Sequence, residues 1–252
     1  WIMTAAYHWL NQNNVPVFHK YTLENFAVNT SEPLKRGFGY IQAQKIFKST
    51  FFKQLDIFVA EQMIGEQRYS WKNGSAVIRH AKDVVKTVSG GADLLVQFNK
   101  VWDANTGIET YNDLISSKRS EKDERSGSVK QHRGLYPDHS TYSNFSLYNL
   151  HHLNWGRLKA EAGMRLNFYA ASLTDTTIGT VRISPSAAVF QGGLNYQLLK
   201  PLFLYANISD GFRAPNIDDL GTLGIVDFRY EIPAYDLKPE RSVNTEIGLK
   251  IV

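Results

Sequence analysis

The sequence predicts an all-β fold: an antiparallel up-and-down meander of about ten strands in a transmembrane β-barrel, which the family resemblance given below implies is a larger one than ten strands, a self-contained ten-stranded barrel being the alternative. Three observations predict it. Apolar and polar residues alternate with period two in segment after segment. The connections alternate strictly between short and long. No stretch approaches the roughly 18 uninterrupted apolar residues that a membrane-spanning helix requires, and no segment shows a helical period.

In chain order, strands are expected near 1–11 and 38–48, then through Leu55, Ile57 and Val59, and through Ala92, Leu94, Val96 and Phe98. Further strands are expected near 107–117 and 141–153. The clearest covers 158–170. There Leu158, Ala160, Ala162, Met164, Leu166, Phe168 and Ala170 alternate without a break with Lys159, Glu161, Gly163, Arg165, Asn167 and Tyr169. An extended chain puts the first set on one side and the second on the other, whereas a helix would mix them. Strands near 180–197 and through Leu202, Leu204, Ala206 and Ile208 come next. The last residues repeat the pattern, with Val243, Thr245, Ile247, Leu249 and Ile251 opposite Ser242, Asn244, Glu246, Gly248 and Lys250.

Short connections are expected near 49–53, 104–106, 154–156 and 198–201, and longer polar ones near 12–37, 69–90, 118–140, 172–179 and 211–241. Alternate connections of a meander lie at the same end, so one end is trimmed and the other elaborated, as in outer-membrane barrels. A Lys or Arg on a lipid-facing strand costs about 2–4 kcal/mol at the bilayer midplane, and the apolar face of 158–170 carries none. Trp1, Tyr7, Trp9, Trp102, Trp155, Phe168 and Tyr169 near strand ends suit interfacial aromatic girdles. A soluble antiparallel sandwich would show the same alternation and stands as the alternative.

Composition removes several functions. Lysines and arginines number 28 against 24 acids over 252 residues, a scattered +4 that forms no nucleic-acid-binding surface. With no cysteine, disulfide scaffolds, thiolate metal sites and cysteine nucleophiles are excluded. No Gly-x-Ser-x-Gly elbow, His-Glu-x-x-His pair, P-loop or dinucleotide fingerprint is present, so no catalytic residue is assigned and no enzyme is expected. Asp218 and Asp219 are adjacent, and a loop does not hold neighbours at the fixed separation that acid–base catalysis on a glycoside needs. His151 and His152 would point to opposite faces of a strand, and His132 and His139 lack a third ligand, so no metal or cofactor is assigned. The mixed-sign run Lys118–Arg125 reads as a solvated loop that could also touch anionic lipopolysaccharide.

One stretch is more specific. Ser209-Asp210-Gly211-Phe212-Arg213-Ala214-Pro215-Asn216-Ile217-Asp218-Asp219-Leu220 is followed by Leu237-Lys238-Pro239-Glu240-Arg241-Ser242 and then Asn244, Glu246, Gly248 and Lys250. The order and spacing resemble the TonB-dependent outer-membrane receptors. In that family a strand ending in such a phrase enters an extracellular loop, and the second phrase starts the next strand. The segments 163–167, 184–187 and 133–138 are similar to the family in style, so the good resemblance covers about 133–252.

The resemblance implies a 22-stranded barrel in the outer membrane, plugged by a separate globular domain and energised through the TonB complex, that imports a scarce extracellular ligand. Metal chelates, cobalamin, oligosaccharides and peptides all remain open. Haem receptors of the family carry a histidine after the Phe-Arg-Ala-Pro phrase, then an Asn-Pro-x-Leu phrase; no histidine lies between Asn216 and Asp236, and Ile232–Leu237 replaces the second phrase, which counts against haem. Residues 1–252 are expected to be an interior piece of the barrel, without plug or remaining strands. Expected partners are the plug, the TonB complex, outer-membrane lipid and the ligand. A passive porin or adhesin is the second reading, and a soluble carbohydrate-binding sandwich the third. Phe212, Arg213, Ala214, Pro215, Leu237, Pro239 and Glu240 are expected to pin the loop rather than touch ligand, with Arg213 pairing to Asp218 or Asp219.

Overall fold

The structure is a computed structural model and describes residues 1–175, 179–222, 224–226, 229–232, 234 and 237–251. Pro233, Tyr235 and Asp236 of the 232–237 phrase therefore lie outside the described residues. In chain order the elements are β1 (Ile2–Gln12), β2 (Val15–Pro16), α1 (Phe18–Leu23), β3 (Phe26–Ile46), β4 (Phe52–Lys72), β5 (Val77–Gln97), β6 (Trp102–Asp123) and β7 (Val129–Arg133). They continue with β8 (Ser140–Trp155), β9 (Leu158–Asp175), β10 (Gly179–Ile183), β11 (Ser186–Leu199), β12 (Leu202–Arg213), α2 (Ile217–Gly221), β13 (Gly224–Val226), β14 (Arg229–Glu231) and β15 (Glu240–Ile251).

One antiparallel sheet runs β1-β3-β4-β5-β6-β8-β9-β11-β12-β15, each strand beside the next, with the short β2, β7 and β10 extending β3, β6 and β9. The ten-strand sequential meander expected from the sequence is the observed topology. The sheet is not closed, since β1 pairs only with β3 and β15 only with β12.

The register places one uncharged side chain beside another on a single face. Leu158 through Phe168 at even positions of β9 lie opposite Trp155 through Phe145 at odd positions of β8. The same face carries Trp102, Ala104, Thr106, Ile108 and Thr110 on β6, and Val96, Leu94, Ala92 and Val88 on β5. Each run is about 9–11 residues long, the length a tilted strand needs to cross the hydrocarbon. It is exposed: Phe168 by 50% and Ile247 by 74%. Among the described residues no second sheet or helix covers them, as the sandwich alternative would require.

The opposite face is polar and internally bonded. Tyr148 Oη donates to Asp93 at 3.0 Å, Asn105 donates to the same carboxylate at 2.7 Å, and Arg165 pairs with Glu109 at 2.7 Å. Gly107 opposes Tyr148 across β6 and β8, and a Cβ there would meet the phenol ring at 2.3 Å. The glycine gives the ring its place.

Several boundaries differ from the sequence reading. Residues 69–90 are not a loop: β4 and β5 continue to a turn at 73–76, where Gly74 takes φ +73°. The run 118–125 is strand through Asp123, and its charges find partners, Arg79 with Glu121 across the ladder at 2.9 Å and Lys118 with Asp138 of the β7–β8 connection at 3.5 Å. The 12–37 and 172–179 connections are likewise partly strand, the short turn expected at 104–106 falls at 98–101, and the single strand expected at 180–197 breaks into β10 and β11 at Ser184-Pro185. The cause is physical: above the bilayer both faces are wet, so the hydrophobic alternation that marks a strand disappears while its backbone ladder continues.

Two short helices also contradict the expectation of none. α2 starts with a capping box in which Asn216 accepts from the Asp219 N–H and Asp219 accepts from the Asn216 N–H, each at 3.0 Å. No described helix is long and apolar enough to cross a membrane.

Candidate functional site

The site lies on the polar face, immediately beyond the level where the apolar face ends. Tyr111 on β6, Asn144 on β8 and Tyr169 on β9 stand directly opposite one another, with Tyr142 one step further out. Their rings form a shelf across the strands. Tyr111 and Tyr142 are 6.1 Å apart, Tyr142 and Tyr169 6.1 Å, and Tyr169 and Phe212 5.5 Å, with the Arg241 guanidinium 5.9 Å from the Phe212 centroid. These spacings lie in the range of favourable ring pairs.

Asn144 sits beneath the rings, 3% exposed. Its amide nitrogen donates to Ser146 at 3.0 Å, and Ser146 donates to Asn167 at 2.9 Å. The Asn144 Oδ1 has no hydrogen-bond partner among the described residues.

Residues that follow β12 fold back over this shelf. Ile217 and Leu220 of α2 pack with Ile115, Tyr142, Ala171 and Leu173 in the main buried apolar cluster. Burying those two side chains is what turns a short polar helix inward. The helix is also tied at both ends. Arg133 donates to the Gly221 carbonyl, and Arg213 donates from Nη2 to both Asp219 oxygens at 2.7 and 2.8 Å. The other nitrogen of Arg213 reaches Glu240 at 2.8 Å.

Arg213 therefore pairs with Asp219 and not with Asp218, which instead accepts from the Thr222 hydroxyl at 2.7 Å. The structure brings Arg213 and Glu240 together, one from each sequence phrase, and buries Ala214 and Pro215. Phe212 joins the ring shelf. Leu237 is exposed and Pro239 half-buried just before β15, and neither enters the site.

Between α2 and the strands is a cavity of about 420 Å³ lined by Tyr111, Tyr136, Tyr142, Asp113, Ile217 and Asp218. Burial pushes the Tyr136 phenol up to about 12, and the Asp218 carboxylate beside it adds to the shift. Four arginines of this face are engaged with carboxylates: Arg68 with Glu66, Arg79 with Glu121, Arg165 with Glu109, Arg213 with Asp219 and Glu240. Asp83 and Asp113 are held by the hydroxyls of Ser117 and Thr87. The cavity thus offers rings, phenols and carboxylate acceptors.

Sequence reasoning missed Tyr111, Tyr136, Tyr142, Asn144 and Arg133, and it set Tyr169 beside Phe168 in an outward girdle, whereas neighbours on a strand face opposite ways and the register puts Tyr169 on the polar face. A tyrosine at period two is an ordinary strand residue. Only the register of β6, β8 and β9 reveals that three of them meet.

A family model described as TonB dependent receptor-like, beta-barrel matches residues 5–251. No curated protein matches the chain. Among solved structures, the copper transporter OprC is similar with a TM-score of 0.74 at 13% identity, over 88% of this chain and 37% of that one. The unliganded ferric citrate transporter FecA follows at 0.66 and 12%, over 99% and 38%. The ferric yersiniabactin uptake receptor FyuA from Yersinia pestis gives 0.61 and 12%, over 99% and 39%. The chain spans well under half the length of each. At these identities the likeness concerns the fold.

Proposed function

The chain belongs to the TonB-dependent receptor β-barrel family, and from that premise we propose that it is a wall segment of an active-transport receptor of the outer membrane. The observation that carries this reading is the two-sidedness of the wall. On β5, β6, β8 and β9 one face is uncharged over about 9–11 residues of each strand, and the other is a polar lumen lining that ends outside in a ring shelf partly roofed by α2.

In this reading the edges of β1 and β15 are paired by other strands of the same polypeptide, since an unpaired backbone edge is not tolerated in hydrocarbon. A plug domain fills the lumen, and energy delivered through TonB displaces it. The lower lumen groups Asp103, His152, Lys159 and Glu161 face that plug. Phe212, Arg213, Ala214, Pro215 and Glu240 set the base of the 214–239 segment, and Arg213 acts by positioning α2. The ligand is a scarce solute gathered from outside. Rings, phenols and hydrogen-bonded carboxylates suit one with apolar surfaces and hydrogen-bond donors, and haem is disfavoured by the lack of a histidine here.

The test is accumulation of labelled cobalamin, ferric citrate, a ferric catecholate and a maltooligosaccharide in cells with and without the intact gene, with and without a protonophore. Gene-dependent uptake of one solute that the protonophore abolishes supports the reading. Gene-dependent uptake that ignores the protonophore would make the protein a passive pore.

A further inference from the structure

The turns at the trimmed end of the sheet share a pattern that the transport reading does not use. Residues 47–51, 98–101, 156–157 and 200–201 each carry a single cation, Lys48, Lys100, Arg157 and Lys200, and no acid. All four are exposed. Beside them stand exposed apolar side chains, Phe51, Phe98, Trp155 and Leu199. A cation next to a bare ring or a leucine suits the border between hydrocarbon and water, where the apolar part is buried and the charge stays wet.

Two of these turns enclose a space. The turns 47–51 and 98–101 lie side by side, tied by the Gln97 N–H, which donates to the Phe51 carbonyl at 2.8 Å. Between them is a cavity of about 330 Å³ lined by Thr50, Lys53, Asn99 and Lys100, the Gln97 amide and the rings of Phe51 and Phe98. The rings meet edge to face at 5.7 Å. Each turn is held by one side-chain oxygen that accepts two backbone N–H groups. Ser49 Oγ accepts from Phe51 and Phe52 at 3.1 and 3.2 Å, and Asn99 Oδ1 accepts from Val101 and Trp102 at 2.9 and 3.1 Å. With Oδ1 committed to the turn, what Asn99 has left to offer is its amide nitrogen, a donor.

Both charged groups of the lining are cations, and no carboxylate lines the space. Lys53 Nζ reaches the Ser49 carbonyl at 3.4 Å, and Lys100 has no ion pair among the described residues. The lumen wall differs in this respect, since its Lys159 and Lys250 share a cavity with Asp103 and Glu161. The nearest acids along the chain are engaged elsewhere: Asp56 accepts from Gln44 and Gln54 at 2.9 and 2.6 Å, and Asp103 faces His152 at 2.9 Å. Two like charges around one small space repel unless an anion lies between them.

We infer that Lys53 and Lys100 bind the phosphate of an anionic phospholipid of the inner leaflet, with Thr50 and Asn99 donating to its oxygens and an acyl chain lying on Phe51 and Phe98. The inference rests on the membrane reading, in which the trimmed end faces the periplasm. An ethanolamine headgroup brings its own ammonium beside the two lysines and binds less well.

The experiment places the intact protein in nanodiscs of phosphatidylglycerol and phosphatidylethanolamine with the same acyl chains, and counts retained lipid by native mass spectrometry after transfer to detergent. Wild-type protein should keep one phosphatidylglycerol and little phosphatidylethanolamine. K53Q/K100Q should lower the affinity for phosphatidylglycerol about thirtyfold, the loss of two lysine contacts at a membrane surface, and K53R/K100R should keep it. K200Q, in a turn outside the cavity, should leave it unchanged. If K53Q/K100Q does not fold, K100Q alone replaces it, with a loss of about fivefold. Equal retention of the two lipids, unchanged retention by the glutamine variant, or an equal loss in K200Q would overturn the site. Displacement of the lipid by millimolar inorganic phosphate would also overturn it, in favour of a site for the free anion. Protein that enters the nanodisc and gives one of these results loses the site alone; protein that does not enter loses the membrane reading as well.

Discussion

Arg213 and Glu240 stand opposite each other on β12 and β15, guanidinium to carboxylate at 2.8 Å although 27 positions apart in the chain. The same guanidinium grips Asp219 with two further hydrogen bonds. One side chain thus closes the base of the 214–239 segment and orients α2, although all partners are solvent-accessible.

Because one guanidinium nitrogen holds Asp219 while the other holds Glu240, Arg213→Lys should behave like Arg213→Ala and not like wild type. Amide hydrogen exchange in 216–222 should accelerate several-fold in both variants, with no change in β9. Unaltered exchange in Arg213→Ala would show that apolar packing alone positions α2.

Met164 lies on the apolar face near the middle of β9 and is 42% exposed. Met164→Arg should cost about 2–4 kcal/mol of folding free energy in lipid vesicles, while Gln191→Arg, exposed on the lumen face, should cost much less. Equal costs would place both residues in similar surroundings and remove the membrane assignment.

Gly107→Ala would force a Cβ to within 2.3 Å of Tyr148 and 2.8 Å of the Ala92 carbonyl. Moving the ring breaks its hydrogen bond to Asp93, and overpacking of this kind costs about 1–3 kcal/mol. Tyr148→Ala in the same background should recover part of the loss, which a thermal or denaturant titration in detergent measures.

Tyr136 titrates near 12 in the folded protein and near its ordinary 10 when unfolded. Between those values the unfolded chain has lost its proton while the folded one retains it. Stability contributed by the neutral phenol is therefore complete below pH 10 and declines as the pH rises towards 12. Exchange of the α2 amides, corrected for intrinsic rates, should rise over that window in wild type and less in Tyr136→Phe.

The part of the fold legible in the sequence is the part inside the bilayer. Leu158 to Phe168 alternate because one side must be free of charge, and that demand writes itself into the residues. Above the membrane it lapses: 118–123 carries charge on both faces and reads as loop, yet it is strand. α2 was hidden because two turnless apolar residues, Ile217 and Leu220, carry no period. The Asn216–Asp219 capping pair is its visible trace. The Arg213–Asp219 partnership could be anticipated from proximity in the chain, but Glu240 required the register of β12 with β15, and the tyrosine shelf required three registers at once.

The strands differ greatly in height. β3 to β6 run 21 or 22 residues, whereas β12 and β15 run 12. The difference, roughly 30 Å of extended chain, makes the outer rim a slope, a parapet on one flank and a sill on the other. In the transport reading proposed above, a small solute enters over the sill, beside Arg213.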